Sequence, residues 1–380
     1  FGKRPCIPQV MACEWQLKRR HLICVMPTGS GKTLIFWMPF IWLKSGITLL
    51  ISPLQSLGDQ HKTAAELDAL GIASIHLTSE TATDEAFKKI AREEYRVVIT
   101  SPETINSDPR FEELWENPSF CKKVDRIIFD EAHCISEWGD FRPDYRRLCR
   151  LIYICLNAIF LLASATMPSI VLKDVKHCLH LPEGTITIFL SNDRPNISLD
   201  VRPILHSQKS LFDVAFLIPP NMTVDSPLPP KFMLFMNTKA LCESAAKMLR
   251  KRLPPTLRRR VVWVHADMSR GFVRRMLEAL KKGEIYGVCC TDTAGMGIDN
   301  PDIALVVQYQ AAKSLCVLMQ RFGRGARDPN LKAAAILFIE PKHLIWFQNE
   351  KKKRKSRKVL TKSGKGVDKR LRLARSQSAA

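Results

Sequence analysis

The chain has 380 residues, with 58 Lys or Arg against 37 Asp or Glu for a formal net charge of +21, and it is 46% hydrophobic and 25% charged. Those fractions belong to a folded globular chain and exclude a collagen-like, low-complexity or wholly disordered protein. Apolar runs such as Leu34 to Leu43, which also contains Pro39, fall short of the about 18 residues of a membrane span. The first residues lack a signal peptide's charged-then-apolar layout, so neither a membrane partner nor export is expected.

Length sets a prior of two or three domains. The 12 cysteines include no C-x-x-C pair, and Cys24, Cys289 and Cys290 sit inside apolar runs. That usage fits free thiols of a reducing, intracellular compartment, and no zinc is expected. His177-Cys178-Leu-His180 offers ligand spacing without a second pair, and reads as a helix end.

Taken in chain order, apolar runs and helical patterns alternate, which predicts parallel α/β sheets. Strands are expected at Leu22 to Val25, Thr48 to Ser52, Ser74 to Leu77, Arg96 to Ser101, Arg126 to Asp130, Ala158 to Ser164 and Thr185 to Leu190. Helices are expected at Gly58 to Leu70, Asp84 to Glu94, Tyr145 to Cys155 and Pro168 to Leu179. From Ser191 to Pro203 the composition turns polar and proline-bearing, which marks a joint. A second series then predicts strands at Lys231 to Met236, Val261 to His265, Gly287 to Thr291, Ala304 to Tyr309 and Ala333 to Ile339, with helices at Lys239 to Arg252, Ser269 to Lys281 and Lys313 to Phe322. Pro219, Pro220, Pro227, Pro229 and Pro230 predict a loop.

The first strand runs into Met26-Pro-Thr28-Gly29-Ser30-Gly31-Lys32-Thr33, a glycine-rich turn at a strand-to-helix junction. Its backbone N–H groups can cradle phosphate, with Lys32 reaching the β- and γ-phosphates and Thr33 ligating Mg²⁺. Met26 stands where the pattern G-x-x-x-x-G-K-[ST] has its first glycine. Asp130-Glu131-Ala132-His133 closes another apolar strand, so Asp130 can hold the metal shell while Glu131 deprotonates the attacking water. Ser164 and Thr166 put two hydroxyls at a strand end. The segment from His133 to Tyr145 sets Trp138, Phe141 and Arg142 behind the carboxylates, a stacking surface for bases. In the second half, Gly297 and Asp299 follow a strand, where glycine allows close approach to phosphate. Arg324 and Arg327 flank glycines, and their guanidinium forks match phosphate oxygens.

Assembled in this order, Met26 to Thr33, Ser52-Pro-Leu-Gln-Ser-Leu57, Asp130 to Gly139, Phe141-Arg142-Pro-Asp-Tyr145, Asp193-Arg-Pro-Asn196, the stretch ending at Asp299, and Gln320 to Asp328 resemble the helicase core of the RecQ family within superfamily two. The resemblance covers residues 1 to about 345 and implies two RecA-like parallel-sheet P-loop domains in tandem, an ATP-binding domain over 1–190 and a second over 191–345. It implies ATP and Mg²⁺, Gln9 as the adenine reader, Lys32, Thr33, Asp130 and Glu131 in the roles above, and Arg324 and Arg327 meeting the γ-phosphate. It also implies coupling through Trp138, Phe141 and Arg142, single-stranded and forked duplex DNA as partners, and 3′ to 5′ movement. The chain departs from the family in Cys6-Ile7 ahead of Gln9, in an aromatic loop one residue shorter, and in Glu137 where Gln is usual. After Cys316 no cysteine remains for the family's zinc-binding module, whose place protein partners would fill. An RNA-dependent ATPase of the same superfamily and a nucleic-acid-binding remnant are the rival readings.

Residues 346–380 form a basic tail expected to be disordered, with 13 Lys or Arg against one Asp between Lys351 and Ala380. Such a run predicts a polyanion-binding arm or a nuclear-import signal.

Overall fold

The structure is a computed structural model that describes residues 2, 4–52, 64, 66–137, 144–292, 300–328 and 330–344. Two parallel sheets organise it. The first has seven strands: β1 (Leu22–Val25), β2 (Ile47–Ile51), β3 (Ser74–His76), β4 (Val97–Thr100), β5 (Val124–Phe129), β6 (Ile159–Ser164) and β7 (Ile186–Phe189). Their order is β3-β4-β2-β5-β6-β1-β7. The second has six: β8 (Ile197–Pro203), β9 (Phe232–Phe235), β10 (Val261–Val264), β11 (Gly287–Cys290), β12 (Leu305–Tyr309) and β13 (Ala333–Ile339), in the order β10-β11-β9-β12-β13-β8.

Every residue of β1, β2, β9 and β11 is buried. Helices on both faces of a parallel sheet demand that, which is why these strands read as continuous apolar runs rather than alternating ones. In both sheets the carboxyl ends of the strands face one way, so in the first the loops that follow β1, β5 and β6 gather there.

Three expectations need correction. The joint after Ser191 contains a strand: β8 pairs in parallel with β13 from Ile197↔Ala333 to Pro203↔Ile339. It lies at the sheet's edge and buries only Ile197 fully, so it carries almost no hydrophobic signal, and Pro203 is tolerated there. The helix expected at Tyr145 to Cys155 is broken into Asp144–Arg147, a 3-10 turn Leu148–Arg150 and Leu151–Ile154. Tyr145, Leu148 and Leu151 are all buried, and spacing of three aligns on one face only where the coil tightens.

Three short helices, Pro102–Ser107, Pro109–Trp115 and Pro118–Lys123, occupy a stretch left without elements by periodicity. Each starts on a capping side chain, from Ser101, Asp108 and Asn117, with proline in the first turn. The helix Ile7–Leu17 is a further element beyond those expected. Most of the helix expected at Gly58 to Leu70, and the whole basic tail, lie outside the described residues.

Candidate active site

The phosphate loop leaves β1 at its carboxyl end and enters the helix Lys32–Trp37. Gly29 and Gly31 adopt φ of 85° and 77°, left-handed values open to glycine at little cost. Lys32 Nζ donates to the carbonyls of Met26 at 3.1 Å and Pro27 at 3.4 Å, so its ammonium is held over the loop it belongs to. Ser30 Oγ is buried with no hydrogen-bond partner among the described residues. A polar atom left so in a glycine-rich turn suits a ligand rich in acceptors, which is what phosphate is.

Gln9 packs beneath this loop. Its amide nitrogen donates to the carbonyls of Ser30 at 3.0 Å and Gly31 at 3.1 Å, and its amide oxygen accepts from Cys6 N at 2.9 Å. The side chain therefore senses the loop's backbone directly.

Beside the loop, β5 ends at Phe129 and delivers Asp130 and Glu131, the latter at φ 49°. Four residues upstream, the fully buried Arg126 donates to Phe36 O at 2.9 Å and Thr48 Oγ1 at 2.8 Å and lies over the Phe40 ring at 4.3 Å. It ties the strand that carries the carboxylates to the helix that follows the phosphate loop.

His133 and Ser164, neighbours across β5 and β6, are joined between Nδ1 and Oγ at 2.8 Å. Ser164 Oγ also donates to Thr166 O and accepts from Thr166 N. The two hydroxyl-bearing residues are thus wired to the Asp-Glu-Ala-His turn.

The second lobe reaches this same turn. Gln320 Nε2, on the helix Leu315–Phe322, lies 3.3 Å from Glu131 Oε2, to which it donates, and 3.1 Å from His133 Nε2. Cys316, one turn earlier, lies against Glu137 and Thr166; burial pushes its thiol up to about 12, and the neighbouring Glu137 adds to the rise.

The helix ends in the turn bearing Arg324 and Arg327, both half-buried. Arg194 holds that turn: it donates to Ala326 O at 2.7 Å and reaches Thr28 O of the phosphate loop at 3.5 Å. Asn196 Nδ2 donates to the same Ala326 carbonyl at 2.9 Å. Arg321 points the other way. It is buried, bonded to Asp292 and Gln308, and lies 5.2 Å from the Phe235 ring centre, so it braces the second lobe's core and does not face the cleft.

A cavity of about 300 Å³ opens between Pro27, Thr28 and Thr166 of one lobe, Arg194 of the connection, and Phe322 and Gly323 of the other. Gln9, Lys32, Thr33, Asp130, Glu131, Ser164 and Thr166 are thus gathered on the first lobe, facing the turn of Arg324 and Arg327 on the second. Trp138, Phe141, Arg142, Gly297 and Asp299 lie outside the described residues. Motif reasoning gives no role to Gln320, His133, Arg194, Asn196 or Cys316. Gln320, Arg194 and Asn196 stand in the sequence only as parts of longer motifs: Gln320 and Arg194 reach across lobes that no local pattern relates, and Asn196 holds the turn that Arg194 holds.

With this geometry in place, comparison with known proteins is informative. The DEAD/DEAH box helicase family matches residues 6–175, and the helicase conserved C-terminal domain matches residues 221–328. The ATP-dependent DNA helicase hus2/rqh1 of Schizosaccharomyces pombe is 29% identical over 350 residues, covering 90% of this chain and 25% of that protein. The ATP-dependent DNA helicase Q-like 2 of Arabidopsis thaliana is 29% identical, covering 84% and 44%. The RecQ helicase of Synechocystis is 28% identical, covering 88% and 68%. The chain therefore spans only a quarter to under half of the first two relatives.

Among solved structures, the DUF1998 helicase MrfA bound to DNA superposes with a TM-score of 0.66 at 18% identity, over 90% of this chain and 51% of that one. Dbp5 of S. cerevisiae bound to RNA and ADP BeF3 gives 0.63 at 18%, over 89% and 84%. At such identities these two show the fold, a pair of RecA-like domains. Two helicase-domain matches in tandem and relatives of RecQ type along most of its length place the chain in a family: it belongs to the RecQ-type helicases of superfamily two.

Proposed function

We propose that the chain is the motor core of an ATP-dependent DNA helicase, hydrolysing ATP to move 3′ to 5′ along single-stranded DNA and to part forked duplexes. The observation that carries this reading is the convergence of both lobes on one carboxylate: Gln320 of the second lobe donates to Glu131 Oε2, beside the lysine loop of the first. A site whose catalytic base is gripped from across a cleft is open to control by closure of that cleft.

In this reading Lys32 exchanges its loop carbonyls for the β- and γ-phosphate oxygens. Glu131 accepts the proton of the attacking water, and His133 and Gln320 hold that carboxylate in line. Thr33 and Asp130 would hold Mg²⁺, which would supply positive charge to offset that of the phosphates. Arg327, with Arg324 beside it, meets the charge developing on the γ-phosphate, and Arg194 keeps their turn at the phosphate loop. Gln9 reads the adenine edge and transmits its occupancy to the backbone at Ser30 and Gly31. Gly297 and Asp299 line the nucleotide from the second lobe.

Trp138, Phe141 and Arg142 contact the strand, and Ser164 and Thr166 relay that contact to Glu131 through His133. RecQ-type relatives named as DNA helicases favour DNA over RNA. The basic tail serves nuclear import and sequence-independent DNA retention.

The test is strand-stimulated ATP hydrolysis by purified protein. Single-stranded DNA should stimulate it and RNA should not, Lys32→Ala and Glu131→Gln should each lower kcat by at least about 10²-fold, and unwinding should need a 3′ overhang. Equal stimulation by RNA would move the assignment to an RNA-dependent ATPase. Hydrolysis that survives Glu131→Gln would discard the mechanism.

A further inference from the structure

Positive charge is concentrated a second time along the sequence, in a stretch that does not belong to the cleft. Between Lys247 and Lys282 the sequence carries 12 Lys or Arg against two Asp or Glu. Connectivity fixes where these side chains lie. Lys251 ends the helix Lys239–Lys251, Arg258 and Arg259 sit on the 3-10 turn Pro255–Arg260 that leads into β10, and Lys281 and Lys282 end the helix Arg270–Lys282 that leads toward β11. All therefore lie at the amino ends of the second sheet's strands, whereas the nucleotide cleft lies at the carboxyl ends. Tyr286 N bonding Arg260 O, and Lys231 Nζ reaching Lys281 O, draw the three segments together.

Of the nearby carboxylates, Glu243 pairs with Lys247 and Asp302 with Lys231, while Glu284 follows Lys282 along the chain. Lys251, Arg258, Arg259, Lys281 and Lys282 are exposed, and none forms an ion pair among the described residues. Keeping so many like charges side by side costs self-repulsion, which the few carboxylates among the described residues here offset only in part. The aromatic group at the patch, Trp263 on the edge strand β10, is covered by Arg250 at 4.5 Å and Lys247 at 5.7 Å, so it offers no open ring for base stacking. Guanidinium and ammonium groups without a stacking platform read phosphates rather than bases. The densest array of phosphates is a duplex, with about one charge per 1.7 Å of helix axis.

We infer that the amino-end face of the second lobe, centred on Lys251, Arg258 and Arg259, is a binding surface for the backbone of double-stranded DNA, separate from the single-strand track. The inference rests on the helicase reading for the choice of DNA as the polyanion, but not on hydrolysis.

It is tested with the full chain and the triple variant Lys251→Gln, Arg258→Gln, Arg259→Gln. These side chains are exposed and lack ion pairs among the described residues, and the one hydrogen bond at stake is the long contact of Arg258 Nε with Leu253 O at 3.4 Å, so the thermal unfolding midpoint should move little. Blunt duplex binding, followed by fluorescence anisotropy without nucleotide between about 50 and 200 mM salt, should show a slope of log affinity against log salt that is shallower by about 0.9 for each phosphate the variant no longer neutralises. Binding to single strands should fall less, and the kcat of strand-stimulated hydrolysis should not move. A slope equal to the parent's, or a loss no greater on duplex than on single strand, would overturn the inference. So would intact duplex binding with loss of polyglutamate binding, which would assign the face to an acidic polypeptide. A parent chain without strand-stimulated ATPase, but with the slope change present, would sink the functional reading and leave this surface standing.

Discussion

Gly31 shows how tightly single residues are specified at the cleft. A Cβ there would stand 2.7 Å from Gln9 Nε2, and the backbone is already left-handed. Gln9 is buried and pinned at both ends of its amide, so it has little room to give way. Gly31→Ala should cost about 1–2 kcal/mol of backbone strain and raise the KM for ATP by about tenfold or more, measured by steady-state hydrolysis.

Arg194 is a positioning residue of another kind. Burial lowers its pKa and the like charge of Arg327 adds to this, yet the carbonyls of Thr28, Gly325 and Ala326 around it require a donor. Arg194→Ala should leave those carbonyls short of partners, at about 1–3 kcal/mol, and lower kcat while affinity for single-stranded DNA holds. Arg194→Lys should not restore the rate, because one ammonium cannot span three carbonyls set around a planar fork.

At the scale of elements, the three proline-started helices depend on their caps. Ser101 accepts from Thr104 N at 3.1 Å, and Ser101→Ala should lower unfolding free energy by about 1 kcal/mol in a urea titration. Close strand packing is the other constraint. Gly287 opens β11 where a Cβ would fall 2.3 Å from Phe232 Cζ on the neighbouring β9. Gly287→Ala should therefore destabilise the second lobe by about 1–3 kcal/mol through overpacking, and Phe232→Leu should recover part of the loss.

Nine of the molecule's twelve thiols are buried, in both lobes, and this gives it a direction of pH sensitivity. Burial pushes Cys24, Cys155 and Cys242 up to about 12 from the thiol's ordinary 9.0, and raises Cys289 and Cys290 well above it. Above that ordinary value the unfolded chain gives up protons that the folded chain keeps, so stability is full below pH about 9 and falls as pH rises toward the folded values. The guanidinium of Arg126, which burial brings down to about 10, works in the opposite sense, as does that of Arg194, which burial also lowers. The urea midpoint should drop between pH about 8 and about 10, and Cys24→Ala with Cys155→Ala should flatten that dependence even if it lowers the midpoint throughout.

What the residues alone determined was local: strands buried on both faces announce themselves as apolar runs, and the phosphate loop and the Asp130-Glu131 turn are contiguous motifs whose chemistry needs no partner to be read. β8 stayed hidden because an edge strand buries little, and the helices from Pro102 to Lys123 because their signal is a cap followed by proline rather than a period. Gln320 on Glu131, Arg194 on Thr28 and Cys316 against Thr166 were decided only by tertiary structure. Each is a contact between lobes, and the lobes meet through loops whose separation in sequence carries no pattern. The cationic face of the second lobe became visible for the same reason: three segments that look like scattered charge along the chain share one end of a parallel sheet.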